Sequence, residues 1–140
     1  MKKLRTPVLL ILTVICLTCT NSIAGEAEKD ALKAAEEWLI LIDADDYGAS
    51  WDNAAELFKK AVTKEQWEEA IRPIKSAMGD LISRKMKSAK YTDSLPGAPD
   101  GEYVVIQFST SFANKKSAIE TVTPMKDPDG NWRVSGYYIK

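Results

Sequence analysis

The chain has 140 residues, which suits one domain with a hydrophobic core of its own. It contains no histidine, and 19 basic against 20 acidic residues give a net charge of −1. The lack of histidine excludes the commonest general base and every Ser-His-Asp arrangement, and the lack of a basic excess argues against nucleic-acid binding.

The first 24 residues have the pattern of a secretory signal peptide. A basic start at residues 2–5 is followed by an apolar run over residues 7–17, and small residues precede a predicted cut after Ala24. The apolar run is shorter than the roughly 20 residues that a membrane-spanning helix needs. We therefore expect a periplasmic or secreted protein, with one domain over residues 25–140 and no stable membrane insertion after cleavage.

Both cysteines, Cys16 and Cys19, lie in the predicted signal peptide. The domain left after cleavage would have no disulfide, no thiol nucleophile and no sulfur ligand for a metal. Lipid attachment to a cysteine is the alternative to simple cleavage, but neither cysteine follows the leucine and the small residue that such attachment requires. Cleavage also removes three basic residues and no acidic ones, which takes the net charge from −1 to −4.

Apolar residues at helical spacing predict a first helix over residues 25–42. A second helix is predicted over residues 47–62, with Asp45 or Asp46 as its N-terminal cap. Together with Asp43, these carboxylates could form a cation site or an acid/base pair. The stretch lacks the ligand spacing and the glycine of a metal loop, so a helix end and a cap explain it better.

A third helix is predicted to begin at Thr63. Thr63 and Gln66 have the spacing of a capping box, in which each side chain bonds the backbone of the other residue. Pro73 is expected to interrupt or bend this helix, because proline lacks the N–H that the helix interior uses.

After residue 79 the apolar pattern changes from helical spacing to alternation. Strands are predicted over residues 81–92, 102–112, 117–125 and 131–139. Helices that precede strands in this way indicate an α+β fold, with three N-terminal helices packed on a curved antiparallel sheet of about four strands.

Two surface features of the predicted sheet have alternative interpretations. Residues 83–90 are locally basic, which suits either the docking of an anion or the protection of a strand edge against aggregation. Tyr137 and Tyr138 lie near the C-terminus and suit a contact with a second copy of the chain. A homodimer through the sheet is therefore one expected assembly.

Several separate blocks of sequence resemble one family of small secreted bacterial proteins. The blocks include Ala35-Glu36-Glu37-Trp38-Leu39, Lys64-Glu65-Gln66-Trp67, Leu95-Pro96-Gly97-Ala98-Pro99-Asp100-Gly101-Glu102-Tyr103 and Trp132-Arg133-Val134-Ser135-Gly136-Tyr137-Tyr138. In this order they resemble domain-of-unknown-function family 4019. The resemblance implies a cone fold like that of nuclear transport factor 2 (cystatin-like in older classifications) and an exported location. It implies no activity.

A cone fold offers one natural site, the cavity between the concave sheet and the helices. Inward-facing aromatic residues would line it, and the candidates are Trp38, Trp51, Phe58, Trp67, Phe108, Trp132 and Tyr137. The alternative is that these side chains form the core. The polar candidates are Gln107, Glu120 and Arg133. Glu120 and Arg133 could face each other on neighbouring strands, either in the cavity or in solvent.

The preferred functional prediction is an exported, non-catalytic binding or interaction module without a metal or cofactor. Its partner would be an unidentified small molecule or an envelope protein. One alternative is a cone-fold enzyme, with Asp43 or Asp46 as the acid/base beside Tyr47. The other is an envelope protein that takes part in assembly or in stress and binds its partner proteins through a face of the sheet.

Overall fold

The computed structural model of the protein describes residues 19–140, with side chains from residue 24 onward. The predicted signal peptide therefore lies outside the described residues, apart from its last six. Four helices precede four strands, which confirms the α+β class. The helices are α1 (Cys19–Asp43), α2 (Tyr47–Asp52), α3 (Glu56–Ala61) and α4 (Lys64–Met78), and the strands are β1 (Leu81–Thr92), β2 (Tyr103–Phe112), β3 (Lys115–Lys126) and β4 (Trp132–Ile139). Between residues 19 and 140, no helix is long and apolar enough to cross a membrane.

The predicted second helix is in fact two short helices, α2 and α3. Ala55 separates them because its backbone is extended, with φ −62° and ψ 153°. The Ala55 N–H donates to the carbonyl oxygen of Val134 in β4 at 2.8 Å, so a bond to the sheet replaces a helical bond at this point. The predicted count of three helices was therefore wrong, and α1 begins six residues before the predicted Gly25.

The predicted caps are confirmed. The Asp46 side chain accepts a bond from the Ala49 N–H at the start of α2, and Thr63 and Gln66 form a complete capping box at the start of α4. The expected interruption at Pro73 was wrong, because α4 is one helix from Lys64 to Met78. Buried residues on both sides of Pro73, in the turns before and after it, hold α4 against the rest of the domain.

The four strands form one open antiparallel sheet in the order β1-β2-β3-β4. The helices cover one face, towards which β2 directs Val104, Ile106, Phe108, Thr110 and Phe112, as the alternation predicted. β1 is an edge strand, as expected for its basic residues. Irregular pairing between β3 and β4 places an extra residue in β4, so that Tyr137 is opposite Val122 and faces the helices while Tyr138 is exposed.

The space between the helices and the sheet is filled by packed aromatic side chains. Trp38 lies 6.0 Å from Trp67 and 5.3 Å from Tyr137, measured between ring centroids. Phe58 packs edge-on against Trp67 at 5.0 Å. Ser50 fixes both indoles, since its carbonyl oxygen accepts from Trp38 Nε1 at 2.8 Å and its hydroxyl accepts from Trp67 Nε1 at 2.9 Å. These aromatic residues are the core of the domain.

Candidate functional site

A charged cleft lies where the end of α1, the outer half of α4 and the start of β1 meet. Its volume is about 350 Å³, within the range of about 300–1,000 Å³ that small-molecule sites occupy. We call it the Lys75 cleft. Its charged and hydroxyl-bearing wall residues are Asp43, Asp45, Tyr47, Arg72, Lys75, Ser76 and Asp80.

A buried ionic network, which we call the Arg84 network, forms the support behind this cleft. Arg84 donates to both oxygens of Asp43, from Nη1 at 2.6 Å and from Nη2 at 3.0 Å. It also donates to Glu120, from Nε at 2.7 Å and from Nη2 at 3.2 Å. The Glu120 side chain is fully buried, so Arg84 supplies the countercharge that makes its burial tolerable.

Two hydroxyl groups also donate hydrogen bonds to the Glu120 carboxylate. Thr110 Oγ1 donates to Glu120 Oε1 at 2.6 Å, and the Tyr137 hydroxyl donates to Oε2 at 2.5 Å. Burial raises the pKa of Tyr137, and the charge of Glu120 raises it further. Burial acts to lower the pKa of Arg84, but its bonds to Asp43 and Glu120 raise it above the usual value. Tyr137 and Arg84 therefore stay protonated, and the network is a fixed support for the cleft.

The raised pKa of Tyr137 predicts that the protein loses stability in alkaline solution. Above pH 10 the tyrosine of the unfolded chain ionises, whereas Tyr137 in the folded protein keeps its proton, so the free energy of unfolding falls as pH rises. We expect Tyr137→Phe to make this fall shallower between pH 9 and about 11 in urea unfolding series. Tyr47, whose pKa is also raised by burial, should account for part of the remaining slope.

The exposed Tyr138 provides the matched control for this experiment. Tyr138→Phe should leave the alkaline slope as it is in the unmodified protein. Equal slopes for Tyr137→Phe and Tyr138→Phe would show that the proton of Tyr137 contributes nothing to the stability of the fold.

Lys75 is a nearly buried cation in the wall of the cleft. Its side chain is 5% exposed, and its ammonium lies 3.5 Å from Asp43 Oδ1 and 4.5 Å from the centroid of the Phe112 ring. Both oxygens of Asp43 already accept shorter bonds from Arg84. An ammonium has three donors, so Lys75 keeps hydrogen-bonding capacity at the surface of the cleft.

The wall of the cleft also contains a tyrosine, a carboxylate and a second cation. The Tyr47 hydroxyl donates to Asp45 Oδ1 at 2.5 Å, and burial and this bond raise the pKa of Tyr47. The guanidinium of Arg72 lies over the Tyr47 ring at 5.4 Å. Asp45 has φ 58°, in the left-handed region, which costs energy for a residue other than glycine and is common at binding sites.

Residues 34–137 match the model of a family described as "Protein of unknown function (DUF4019)". The chain belongs to this family. The match includes the charged residues of the Lys75 cleft and the whole Arg84 network. No curated protein and no solved structure matched the chain.

One sequence prediction about the charged residues of this DUF4019 domain was wrong, and another was incomplete. Asp43 ends α1, as predicted, but its side chain is only 21% exposed, because the register of β1 brings Arg84 onto its carboxylate. Glu120 and Arg133 do not face each other, because Glu120 pairs with Ile139 in β4 and Arg133 pairs with Met125 in β3. Glu120 instead meets Arg84 across the sheet.

Arg133 has a different role near the turn that precedes β4. It donates to Asp127 at 3.0 Å and to both oxygens of Asp129 at 2.9 Å. The bonds that Asp129 accepts from Arg133 and Asn131 lower its pKa. Arg133 thus fixes the β3–β4 turn.

The other candidate residues of the DUF4019 domain are distributed over several places. Trp38, Phe58, Trp67 and Phe108 belong to the core, and Tyr137 joins the core to the Arg84 network. Trp51 is half-buried and donates from Nε1 to the carbonyl oxygen of Val62 at 2.9 Å. Gln107 is paired with Thr121 on the face of the sheet away from the helices. Trp132 lines a separate groove beside α1.

The central cations of the site are Lys75, which the sequence analysis missed, and Arg84, which it treated only as part of the basic segment 83–90. A signal for Lys75 was present, since it follows Trp67 and Ile71 at intervals of four and thus lies on the apolar stripe of α4. A lysine on a buried stripe is unusual and indicates a paired or functional charge. Arg84 had no such signal, because β1 lacks a clear apolar alternation.

Proposed function

We propose that this DUF4019 domain is an exported, non-catalytic module that binds a small ligand through an anionic group in the Lys75 cleft. The observation that carries the proposal is the ammonium of Lys75, which is nearly buried and, among the side chains of residues 24–140, has only a shared carboxylate at 3.5 Å as its ionic partner. Export is inferred from the signal-peptide pattern of the first 24 residues.

The energetic argument concerns the hydrogen bonds that Lys75 lacks. A buried ammonium is costly unless charged or polar groups surround it. Asp43 is shared with Arg84, which binds it more closely than Lys75 does. A carboxylate or phosphate group in the cleft would supply the acceptors that Lys75 needs. Arg72, at the same cleft, offers a second and more exposed cation to such a group.

Two carboxylates of the ionic network, Glu120 and Asp43, are unsuited to act as a general base, which supports binding as the role of the cleft. A general base has to accept a proton from the substrate, so at least one of its oxygens has to be available in the site. Glu120 is enclosed by Arg84, Thr110 and Tyr137, and Asp43 is held by Arg84 through both oxygens. These carboxylates are engaged in holding the cleft in shape.

NMR titration with two simple anions tests the proposal. Inorganic phosphate and succinate are added at constant ionic strength to ¹⁵N-labelled protein, and the backbone signals of Tyr47 and Gly79 at the cleft are followed. We expect saturable shifts for at least one anion. Lys75→Met should weaken this binding at least about tenfold, which corresponds to about 1.4 kcal/mol.

The stability of Lys75→Met separates a binding role from a structural one. Methionine fills the buried position without a charge, and Asp43 keeps Arg84 as its partner, so the variant should be at least as stable as the original protein. Lys33→Met, at an exposed pair on α1, is the matched control and should bind each anion as the unmodified protein does. Unsaturable shifts with both anions, or equal binding by Lys75→Met, would contradict the proposal.

A further inference from the structure

A second groove, which we call the Trp132 groove, runs between α1, the α2–α3 junction and the start of β4. Its volume is about 380 Å³, within the range of about 300–1,000 Å³ typical of ligand sites. The residues that matter for its chemistry are Glu37, Asn53, Asn131, Trp132 and Arg133. A shallower extension along α1 shares Glu37, Asn131 and Trp132 with it, so the groove is elongated.

Trp132 differs from the other tryptophans in its hydrogen bonding. Trp38, Trp51 and Trp67 each donate from the indole N–H to an oxygen of the protein at 2.8–2.9 Å. Within residues 24–140, the Trp132 indole N–H meets no protein acceptor, and the side chain is only half-buried. Tryptophans that are partly buried usually find such a partner. Trp132 thus presents both an aromatic surface and a free donor to the groove.

The charges along the groove and its extension cancel. Two acidic residues, Asp30 and Glu37, stand against two basic residues, Lys33 and Arg133. Lys33 pairs with Glu37 at 3.9 Å, and Arg133 is held by the carboxylates of the β3–β4 turn. The groove therefore suits an uncharged ligand.

The polar atoms that remain are neutral acceptors beside the indole. Asn53 donates through its side-chain amide to Ala49, and Asn131 donates through its amide to Asp129. Within the described part of the chain, the side-chain carbonyl oxygens of both asparagines accept no hydrogen bond from the protein. One free donor and two free acceptors next to an aromatic ring match a molecule with hydroxyl groups around an apolar ring face.

We propose that the Trp132 groove binds a neutral sugar ring of a glycan chain. The C–H face of a pyranose would stack on the Trp132 indole, its hydroxyl groups would accept from Nε1 and donate to Asn53 and Asn131, and the elongated groove would hold a neighbouring ring. This site is independent of the Lys75 cleft, with which its lining has no residue in common.

The indole N–H region of the NMR spectrum tests this proposal residue by residue. The four tryptophans give four indole signals, and the Trp132 signal is identified by its loss in Trp132→Phe. The probes are maltotriose and N,N′,N″-triacetylchitotriose, added separately. We expect one of them to shift the Trp132 signal saturably, while the signals of Trp51 and Trp67, which do not line the groove, stay in place.

Three variants and one competing probe decide the outcome, and binding by the variants is followed at the backbone signals of Asn131 and Val134 in the groove. Trp132→Phe should retain weakened binding because an aromatic face remains, and Trp132→Ala should abolish it, with Gly79 at the other cleft reporting that the fold is intact. Asn53→Ala should weaken binding at least about threefold. The proposal fails if neither trisaccharide shifts the Trp132 signal, if Trp132→Ala binds as well as the original protein, or if a proline-rich peptide binds and the sugars do not.

Discussion

Replacing Arg84 with methionine is expected to destabilise the protein by about 3–5 kcal/mol. The Glu120 side chain is fully buried, and Arg84 is its ion-pair partner at 2.7 Å. Removing Arg84 leaves a charged carboxylate inside the fold with only hydroxyl donors, and it also releases Asp43. Urea unfolding at pH 7 should show the loss as a lower midpoint of the transition.

The control for this prediction is Arg72→Met. Arg72 lies at the surface and approaches Glu68 only at 3.8 Å, so its loss should cost about 1 kcal/mol or less. In a Glu120→Gln background, Arg84→Met should be less damaging by about 1–3 kcal/mol, because the uncompensated charge is gone. Equal costs in both backgrounds would show that the charges of Glu120 and Arg84 are not energetically coupled, and would contradict the role of Arg84 as the countercharge of Glu120.

Replacing Trp38 with alanine should also lower the free energy of unfolding by about 3–5 kcal/mol. Trp38 is 3% exposed, contacts Trp67 and Tyr137, and ties α1 to α2 through its bond to Ser50. Its removal opens a large cavity in the core and leaves a buried carbonyl oxygen without its donor. Thermal or urea unfolding measures the change directly.

Trp132→Ala is the matched control, because it removes the same side chain from a half-buried position beside the core. We expect a cost of about 1 kcal/mol. A Trp38→Ala variant no less stable than Trp132→Ala would mean that Trp38 lines an open site rather than the core.

The features that were predictable from the sequence depend on local patterns. The alternation in β2 correctly placed Val104, Ile106 and Phe108 on the inner face, because the two-residue repeat of a strand fixes which side chains share a face. The capping box of Thr63 and Gln66 was predictable because its bonds join residues three positions apart.

The features that were missed depend on contacts between distant parts of the chain. Ala55 ends a helical pattern because it bonds to Val134 in a strand that comes much later in the sequence. The extra residue in β4 was missed because a period-two pattern cannot show such a bulge in advance, although Tyr137, one of the inward-facing candidates, does face the helices. The partners of Glu120 follow from strand register, which places Ile139 opposite Glu120 in β4 and leaves Arg133 six residues away from Ile139.

Long-range contacts also assemble the Lys75 cleft, which explains why its location was not predicted. Asp43, Lys75 and Arg84 come from α1, α4 and β1, and only the packed fold brings both cations within 4 Å of the Asp43 carboxylate. The sequence analysis proposed a binding module without a defined site. The structure adds a specific place where an anionic ligand would complete the hydrogen bonding of a buried lysine.

Native mass spectrometry tests the central claim most directly. The full chain is expressed in bacteria, recovered from the periplasm and measured without denaturation, beside Lys75→Met and Lys33→Met. We expect the unmodified protein and Lys33→Met to carry a small acidic molecule that is lost on heating, and Lys75→Met to be recovered without it. A protein that never carries such a molecule, or a Lys75→Met variant that retains it, would contradict the binding function proposed for the Lys75 cleft.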